Sequence, residues 1–526
     1  MKDVKELELA LDKYTGNEPY LLLLKDKISK KENLSTTNFM LGKQIFYKTA
    51  AKLNDKELIP SREIKNLNLD FSKYSRVPFK HQVEGVNWLL QTPKGILGDE
   101  PGLGKSAEGA LAAIYGGFKK VLIVCPAFLK LNWQAELGYF TIQDEISILT
   151  SKSFNIKKFN IINYDILKKY KKELLKEKFD LIIADEAHLL KNLQSIRTKQ
   201  FISIANKTKN VWLLTGTPIA NRPIDFYSLL KICKHELGKN KQLFGMRYCN
   251  GQANYFGGMD FSGASNLKEL HFKTLDVILR RKKEDVLDLP EKIQTPILLE
   301  LANFKKYENA VEDYYNKLYI EVNDPNSDLY GKDISQGSVL AELSCYRKFC
   351  ALEKVKDGSL FELIDNQLSE FGRCVVFTGY HQTADLIQEH YKNNCGLIDG
   401  RIDPIEKQKR IDVFQSGKGP DILVCNINIA IGITLTNACI GIFNDLPWSP
   451  ALLQQAIDRL HRISQTQKVN LLFPVYKNTI DEIMLNVLRD KIKNINEAVD
   501  GNAQISNFSG DITKEIFNML KSLKSL

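Results

Sequence analysis

A chain of 526 residues with 44% hydrophobic and 26% charged residues has the make-up of a soluble globular protein and is too long for a single core, so several domains are expected. Its net charge of +10 suits a polyanionic partner such as nucleic acid without requiring one. Nine cysteines without a C-x-x-C pair speak against a structural zinc site, the charged start MKDVKELELALDKY lacks the apolar core of a secretory signal, and no apolar run approaches the ~20 residues of a membrane span, so an intracellular protein off the membrane is expected.

Residues 1–75 are rich in Lys and Glu, with helical stretches such as Glu6–Tyr14, and show no chemistry. From Arg76 onward KGIL, VLIVCP, FNIINY, FDLIIAD and VWLLTG read as buried strands, with AEGALAAIY and LNWQAELGYF as helices between them. Strands alternating with helices predict a parallel sheet covered on both faces. After about Asp225 the pattern becomes longer, more helical and more charged. The alternation then returns: RCVVFTGY, CGLIDG, DILVCNI, IGIFNDL and VNLLFPVY read as strands, and ADLIQEHYK, IEKQKRIDVF, LLQQAIDRLHRI and DEIMLNVLRDKI as helices. The expected fold class is α/β, with two parallel-sheet lobes and helical insertions between them. The boundaries are an accessory segment at 1–75, lobe one at 76–290, a helical insertion at 291–370, lobe two at 371–495 and a polar tail at 496–526 with a terminal amphipathic helix.

GDEPGLGKS, Gly98–Ser106, joins an apolar strand to a small-residue helix. Gly102 and Gly104 let the backbone curl so that its N–H groups face phosphates, and the helix N-terminus adds a favourable dipole. Lys105 would reach the β- and γ-phosphates of ATP and Ser106 would ligate Mg2+. Asp99, Glu100, Pro101 and Leu103 complete the loop, with Asp99 where the strict phosphate-loop pattern wants Gly. The competing reading is a Gly-rich turn with an incidental lysine. In DLIIADEAH, Asp185 and Glu186 emerge at the C-terminal end of a strand, where one carboxylate can hold Mg2+ and its neighbour can orient water, or both can merely cap a helix. In QQAIDRLHRISQT, helical spacing puts Gln455, Arg459 and Arg462 near one face. Two guanidiniums suit a triphosphate; the alternative is a solvated basic face.

The order of these stretches resembles the superfamily-two helicases, and GDEPGLGKS resembles the Swi/Snf-type DNA translocases, whose loop commonly reads GDEMGLGKT; Asp99 is then the family's own departure from the strict pattern. The resemblance implies two RecA-like lobes. VPFKHQVEGVNWLL resembles the glutamine motif, where Gln82 would read adenine. VLIVCPAFLKLNW resembles a motif that touches DNA backbone, with Lys130 and Trp133 as candidates, and INYDIL resembles a further motif behind the sheet. WLLTGTPIANRP resembles the coupling motif, in which Thr215, Gly216 and Thr217, with His188 of DEAH and Gln455, would link hydrolysis to lobe movement. QQAIDRLHRISQ resembles QAEDRAHRIGQ, so Arg459 and Arg462 would act as arginine fingers. CNINIAIGITLTNA would place Gly432 and Thr434 near nucleotide and DNA, FTGY would begin lobe two, and Trp448 of DLPWSP would lie at DNA or in the core. FGMRYCNGQANYFGGMDFSGASNLKEL followed by LRRKKEDVLDLPEK resembles the HARP-type annealing-helicase branch. Its basic run Arg280, Arg281, Lys282 and Lys283 would contact phosphate, brace the lobes or form a solvated face. Of the histidines, His188 and His461 sit in motifs and the other five read as structural. The implied function is an ATP- and Mg2+-dependent translocase on double-stranded or forked DNA, in the cytoplasm or nucleoid of a bacterium or phage-infected cell. A strand-separating helicase, an RNA-dependent ATPase and a non-catalytic DNA-binding scaffold are the alternatives.

Overall fold

The computed structural model describes residues 64–219, 222–253, 258–310, 312, 339–427, 433–499, 516 and 519. The accessory helix expected at Glu6–Tyr14, Gly432 and nearly all of the terminal tail therefore lie outside the described residues.

Lobe one runs α1 (Lys80–Gln91), β1 (Lys94–Leu97), α2 (Lys105–Tyr115), β2 (Val121–Cys125), α3 (Lys130–Gly138), β3 (Ile146–Ile148), β4 (Phe159–Asn163), α4 (Lys171–Lys176), β5 (Leu181–Asp185), α5 (Ile196–Ala205), β6 (Asn210–Leu214) and α6 (Pro223–Ile232). The seven-stranded sheet has the order β3-β4-β2-β5-β6-β1-β9, all parallel, where β9 is Ile278–Leu279. Every residue of β2, β4 and β5 is buried, as a sheet covered on both faces requires, and that is why these strands read as unbroken apolar runs. Apolar clusters flank the sheet, one built around Leu122, Ile182 and Phe201 and the other around Val86, Trp133 and Trp212.

Between α6 and β9 lie α7 (Lys241–Tyr248), a two-stranded antiparallel ribbon of β7 (Gln252–Ala253) and β8 (Met259–Asp260), and α8 (Leu267–Thr274). Helices thus occur in this stretch, and β9 brings the chain back into the sheet beside β1. The basic run begins immediately after it and leads into the one-turn helix α9 (Lys283–Val286).

Lobe two contains β11 (Cys374–Thr378), α12 (His381–Tyr391), β12 (Cys395–Ile398), α13 (Pro404–Gln415), β13 (Ile422–Asn426), β14 (Ile440–Phe443), α14 (Pro450–Leu460), β15 (Val469–Tyr476) and α15 (Ile480–Val499). Its sheet has the order β10-β15-β14-β11-β13-β12, again all parallel. The outer strand β10 is Lys292–Leu299, paired from Lys292↔Val469 to Leu299↔Tyr476. This corrects the expected helical insertion over 291–370: its first segment is an edge strand of lobe two, and helix follows at residues 304–310, in α10 (Val339–Lys356) and in α11 (Ser359–Phe371). The burial of β10 alternates, because an edge strand has one open face. Trp448 is half-buried against the lobe-two core, with the Arg347 guanidinium 4.4 Å from its ring centroid.

Candidate active site

Three connections at the C-terminal edge of the lobe-one sheet build the site: the loop after β1, the acids ending β5 and the turn after β6. Ligand sites of parallel sheets lie at this edge. The phosphate loop curls through left-handed backbone at Gly102 (φ 95°) and Gly104 (φ 87°), and Gly104 is the N-cap of α2. A Cβ at Gly104 would stand 2.2 Å from Nε2 of Gln82 on left-handed backbone, so a side chain here would strain the loop and displace Gln82. Gln82 is 1% exposed. Its amide donates to the Leu103 carbonyl at 3.2 Å, its oxygen accepts from the Phe79 N–H at 3.1 Å, and His81 bonds the same carbonyl at 2.9 Å. The glutamine expected to read adenine therefore also ties α1 to the phosphate loop.

Lys105 donates to the carbonyls of Asp99 and Glu100 at 2.7 and 3.1 Å. Burial holds its ammonium below the usual lysine value, while Glu186, Asp99 and Asp185 pull the other way. Ser106 Oγ lies 3.5 Å from Asp185 Oδ2. Asp185 also accepts from the Trp133 indole at 2.8 Å and from the Glu186 N–H at 2.9 Å, and its carbonyl takes the Tyr164 hydroxyl at 2.7 Å. Burial, then the neighbouring Glu186, push the Asp185 carboxyl up to about 6. Glu186 sits in left-handed backbone (φ 50°), an uncommon conformation for a non-glycine residue. Burial would raise it too, but His188 at 3.2 Å, with Lys105 and Arg459, holds it below the ordinary glutamate value. The His188 ring is also 3.3 Å from Thr215 Oγ1, which accepts from the Thr217 N–H at 3.2 Å. Gly216 lets this turn close on the loop, since a Cβ there would meet Pro101 at 2.5 Å. Thr217 Oγ1 and Gln455 Oε1 are buried without a hydrogen-bond partner.

The Ser106 hydroxyl and the Asp185 carboxylate, 3.5 Å apart at the N-terminus of α2, fit Mg2+, which binds through one or two carboxylates plus substrate phosphates. No group of three or more His, Cys, Asp or Glu side chains that could hold a metal occurs among the described residues.

Lobe two delivers the arginines. Arg459 is 6% exposed; its Nε donates to the Gln455 carbonyl at 2.9 Å and its Nη1 to the Ile433 carbonyl at 3.3 Å. Arg462 donates to the Ile433 carbonyl at 3.3 Å and to Thr434 Oγ1 at 2.8 Å. Its Cγ lies 3.5 Å from where a Cβ of Gly102 would stand, so lobe two reaches the phosphate loop. Burial lowers both guanidiniums, Arg462 to about 10 with Arg459 adding to the effect.

Three expectations need amending. Trp133, expected at DNA, is 1% exposed, packs in the core and spends its N–H on Asp185, so it cannot meet a phosphate chain. Arg462 is not on the helix with Gln455 and Arg459: α14 ends at Leu460, His461 leaves helical backbone (φ −100°, ψ 83°), and Arg462 follows in a turn. The basic run is not a solvated face. Arg281 is paired with Asp99 and with Glu108, both buried, and Glu108 is pushed well up by burial and by Asp99 against the pull of Arg281. The Asp99 carboxylate thus supports the loop from behind. Lys130 lies 3.4 Å from Asn163 Oδ1, and Thr434 is engaged by Arg462. Sequence reasoning had no signal for Glu108 or for the indole's partner, since both depend on side-chain direction.

Comparison with known proteins agrees along the chain. A SNF2-related domain matches residues 81–352 and a helicase conserved C-terminal domain matches 356–464. A Caenorhabditis elegans "SWI/SNF-related matrix-associated actin-dependent regulator of chromatin subfamily A-like protein 1 homolog" is 30% identical over 81% of this chain and 62% of its own length. The Bos taurus "DNA annealing helicase and endonuclease ZRANB3" is 27% identical over 81% of this chain and 40% of its own. A Mycoplasma pneumoniae "Uncharacterized ATP-dependent helicase" is 28% identical over 89% of this chain and 46% of its own. The chain therefore spans less than two thirds of these relatives. A solved Sulfolobus solfataricus SWI2/SNF2 ATPase core in complex with dsDNA aligns at 21% identity and a TM-score of 0.40, over 86% of this chain and 98% of that one.

Proposed function

The chain belongs to the SNF2-related family, and from that premise we propose that it is a DNA-dependent ATPase that moves along double-stranded DNA. The observation that carries this reading is the approach of Arg459 and Arg462 of lobe two to the phosphate loop and Glu186 of lobe one. A scaffold that does not hydrolyse ATP has no chemical need for that convergence.

ATP would lie with its phosphates in the Gly102–Ser106 cradle, with Lys105 freed from its loop carbonyls to face them. Ser106 and Asp185 would hold Mg2+, which when bound neutralises charge on the β- and γ-phosphates. Glu186 orients the attacking water and is kept ionised for that task by His188. As water adds to the γ-phosphorus, the bond to the β-bridging oxygen breaks, ADP leaves with that oxygen, and the water's proton passes to Glu186 or to phosphate. Arg459 and Arg462 stabilise the spreading charge once the lobes close. The chain Glu186–His188–Thr215 carries the state of the site into the turn after β6, beside Pro101 of the phosphate loop. Repeated closing and opening would shift the grip of the lobes along phosphates, so little base specificity is expected.

The finer reading, that the chain anneals or remodels forked DNA, rests on the resemblance of residues 244–270 and 279–292 to the annealing-helicase branch and on the names of relatives. Steady-state hydrolysis with blunt duplex, fork, single strand and RNA tests both levels. Stimulation by duplex or fork supports the motor. Stimulation by RNA alone sinks the DNA reading, and equal activity on blunt and forked duplex removes the fork preference.

A further inference from the structure

Arg280, Arg281 and Lys283 of the basic run are each bonded to the loop after β1. Arg280 donates to the carbonyls of Gly98 at 2.8 Å and Gly216 at 3.2 Å, joining the strand before the phosphate loop to the coupling turn. The Arg281 N–H and Nε donate to Asp99 at 3.0 and 3.1 Å, and its Nη2 to Glu108 at 2.7 Å. The Lys283 N–H donates to Glu100 Oε2 at 2.9 Å. The backbone of this segment therefore follows the phosphate loop.

The Lys283 side chain then crosses to lobe two. Its ammonium donates to Asp458 Oδ1 at 2.5 Å and to the His461 carbonyl at 2.8 Å. These two partners each stand one residue before an arginine of the pair, Asp458 before Arg459 and His461 before Arg462. The ion pair is buried, Lys283 at 6% and Asp458 at 2% exposure. Nζ also lies 3.5 Å from where a Cβ of Gly102 would stand, on the same side as Arg462. The His461 ring is tied in turn to the Pro290 carbonyl at 2.8 Å, so the segment 283–290 holds the arginine motif at two points. Burial, with Lys292 adding to it, drives the ammonium down and Asp458 opposes it, as expected of a charge that is tolerated because it is paired.

We propose that Lys283 is a positioning residue that sets Arg459 and Arg462 against the phosphate loop, coupling the closure of lobe two to the state of the loop in lobe one. The inference rests on the ATPase reading above. It differs from a phosphate-contact role for Lys283, which would weaken nucleotide binding, and from a purely structural role, which would lower thermal stability and leave turnover per folded molecule unchanged.

The test measures kcat, KM for ATP and the Kd of a fluorescent ADP for wild type, Lys105→Ala, Lys283→Met, Asp458→Asn and the double variant Lys283→Met/Asp458→Asn, with saturating duplex DNA. If wild type shows no DNA-stimulated hydrolysis, the ATPase reading itself fails and is the claim refuted. With wild type active and Lys105→Ala silent, Lys283→Met should lower kcat by about 30-fold or more, as misplacement of a reacting group does, with KM and Kd moving less than about threefold. The double variant should be no worse than the worse single, because both remove one contact. A kcat loss below tenfold, a matching loss of nucleotide affinity, or additive effects would overturn the inference. Should Lys283→Met fail to fold, the near-isosteric Asp458→Asn reads the same contact from lobe two.

Discussion

The two lobes are built alike and furnished differently. Both are parallel sheets, yet lobe one carries the glycine-rich loop, the lysine and the acids, and lobe two brings the two guanidiniums with Gln455 and Thr434 beside them. Each working group of lobe one is held within its own lobe: Asp185 by Trp133, Tyr164 and Ser106, Glu186 by His188, Gln82 by the loop it supports. The arginines of lobe two hang on a few oxygens, those of Gln455, Ile433 and Thr434. Such a difference suits a division of labour in which lobe one binds and lobe two, arriving on closure, completes the transition-state site.

The largest way to break that comparison is Lys105→Ala. It should abolish detectable turnover and weaken nucleotide binding more than about tenfold, with an unchanged circular dichroism spectrum, since in the proposed mechanism the ammonium would face the β- and γ-phosphates. Undiminished hydrolysis by this variant would remove the site from where it has been placed. A smaller effect sharpens the picture inside lobe one. Trp133→Phe keeps the packing but deletes the bond to Asp185, and should lower kcat by about tenfold while raising the Mg2+ concentration needed for half-maximal rate. If neither moves, the indole serves the core alone.

The smallest effect concerns stability. The folded-state value of Asp185, about 6, lies above its ordinary value of 3.8. A raised carboxyl stabilises the fold in its protonated form; that contribution is complete below about pH 4 and is lost as the pH rises through about 6. Without nucleotide or metal, Asp185→Asn should therefore be more stable than wild type at pH 8, by on the order of 1–3 kcal/mol, and similar to it near pH 4. Melting temperatures at both pH values read this directly, and a variant less stable at pH 8 would contradict the assigned strain.

Much of the fold was legible because buried parallel strands carry apolar side chains on both faces; VLIVCP, FNIINY, FDLIIAD and DILVCNI announce themselves. The strand β10 did not, for two reasons. KIQTPILL alternates as an edge strand does, and its partner β15 lies far along the chain, so nothing local marks the pairing. The phosphate loop, the acids of DEAH and the arginine pair were legible because their chemistry restricts residue types. The helix end before Arg462 was missed because LLQQAIDRLHRI keeps its helical period past the last helical residue. The role of the basic run was left open, since charge alone does not say which acids a lysine meets; only the fold brings Lys283 to Asp458 and Arg281 to Asp99 and Glu108.

The division of labour is tested most directly by Arg459→Ala, assayed for the Kd of a fluorescent ADP and for kcat with saturating duplex DNA. Kd should stay within about threefold of wild type while kcat falls on the order of 10³-fold, the cost of removing an arginine finger. A variant that keeps its turnover, or that loses nucleotide binding in proportion, would contradict the claim that lobe two completes a site lobe one has already built.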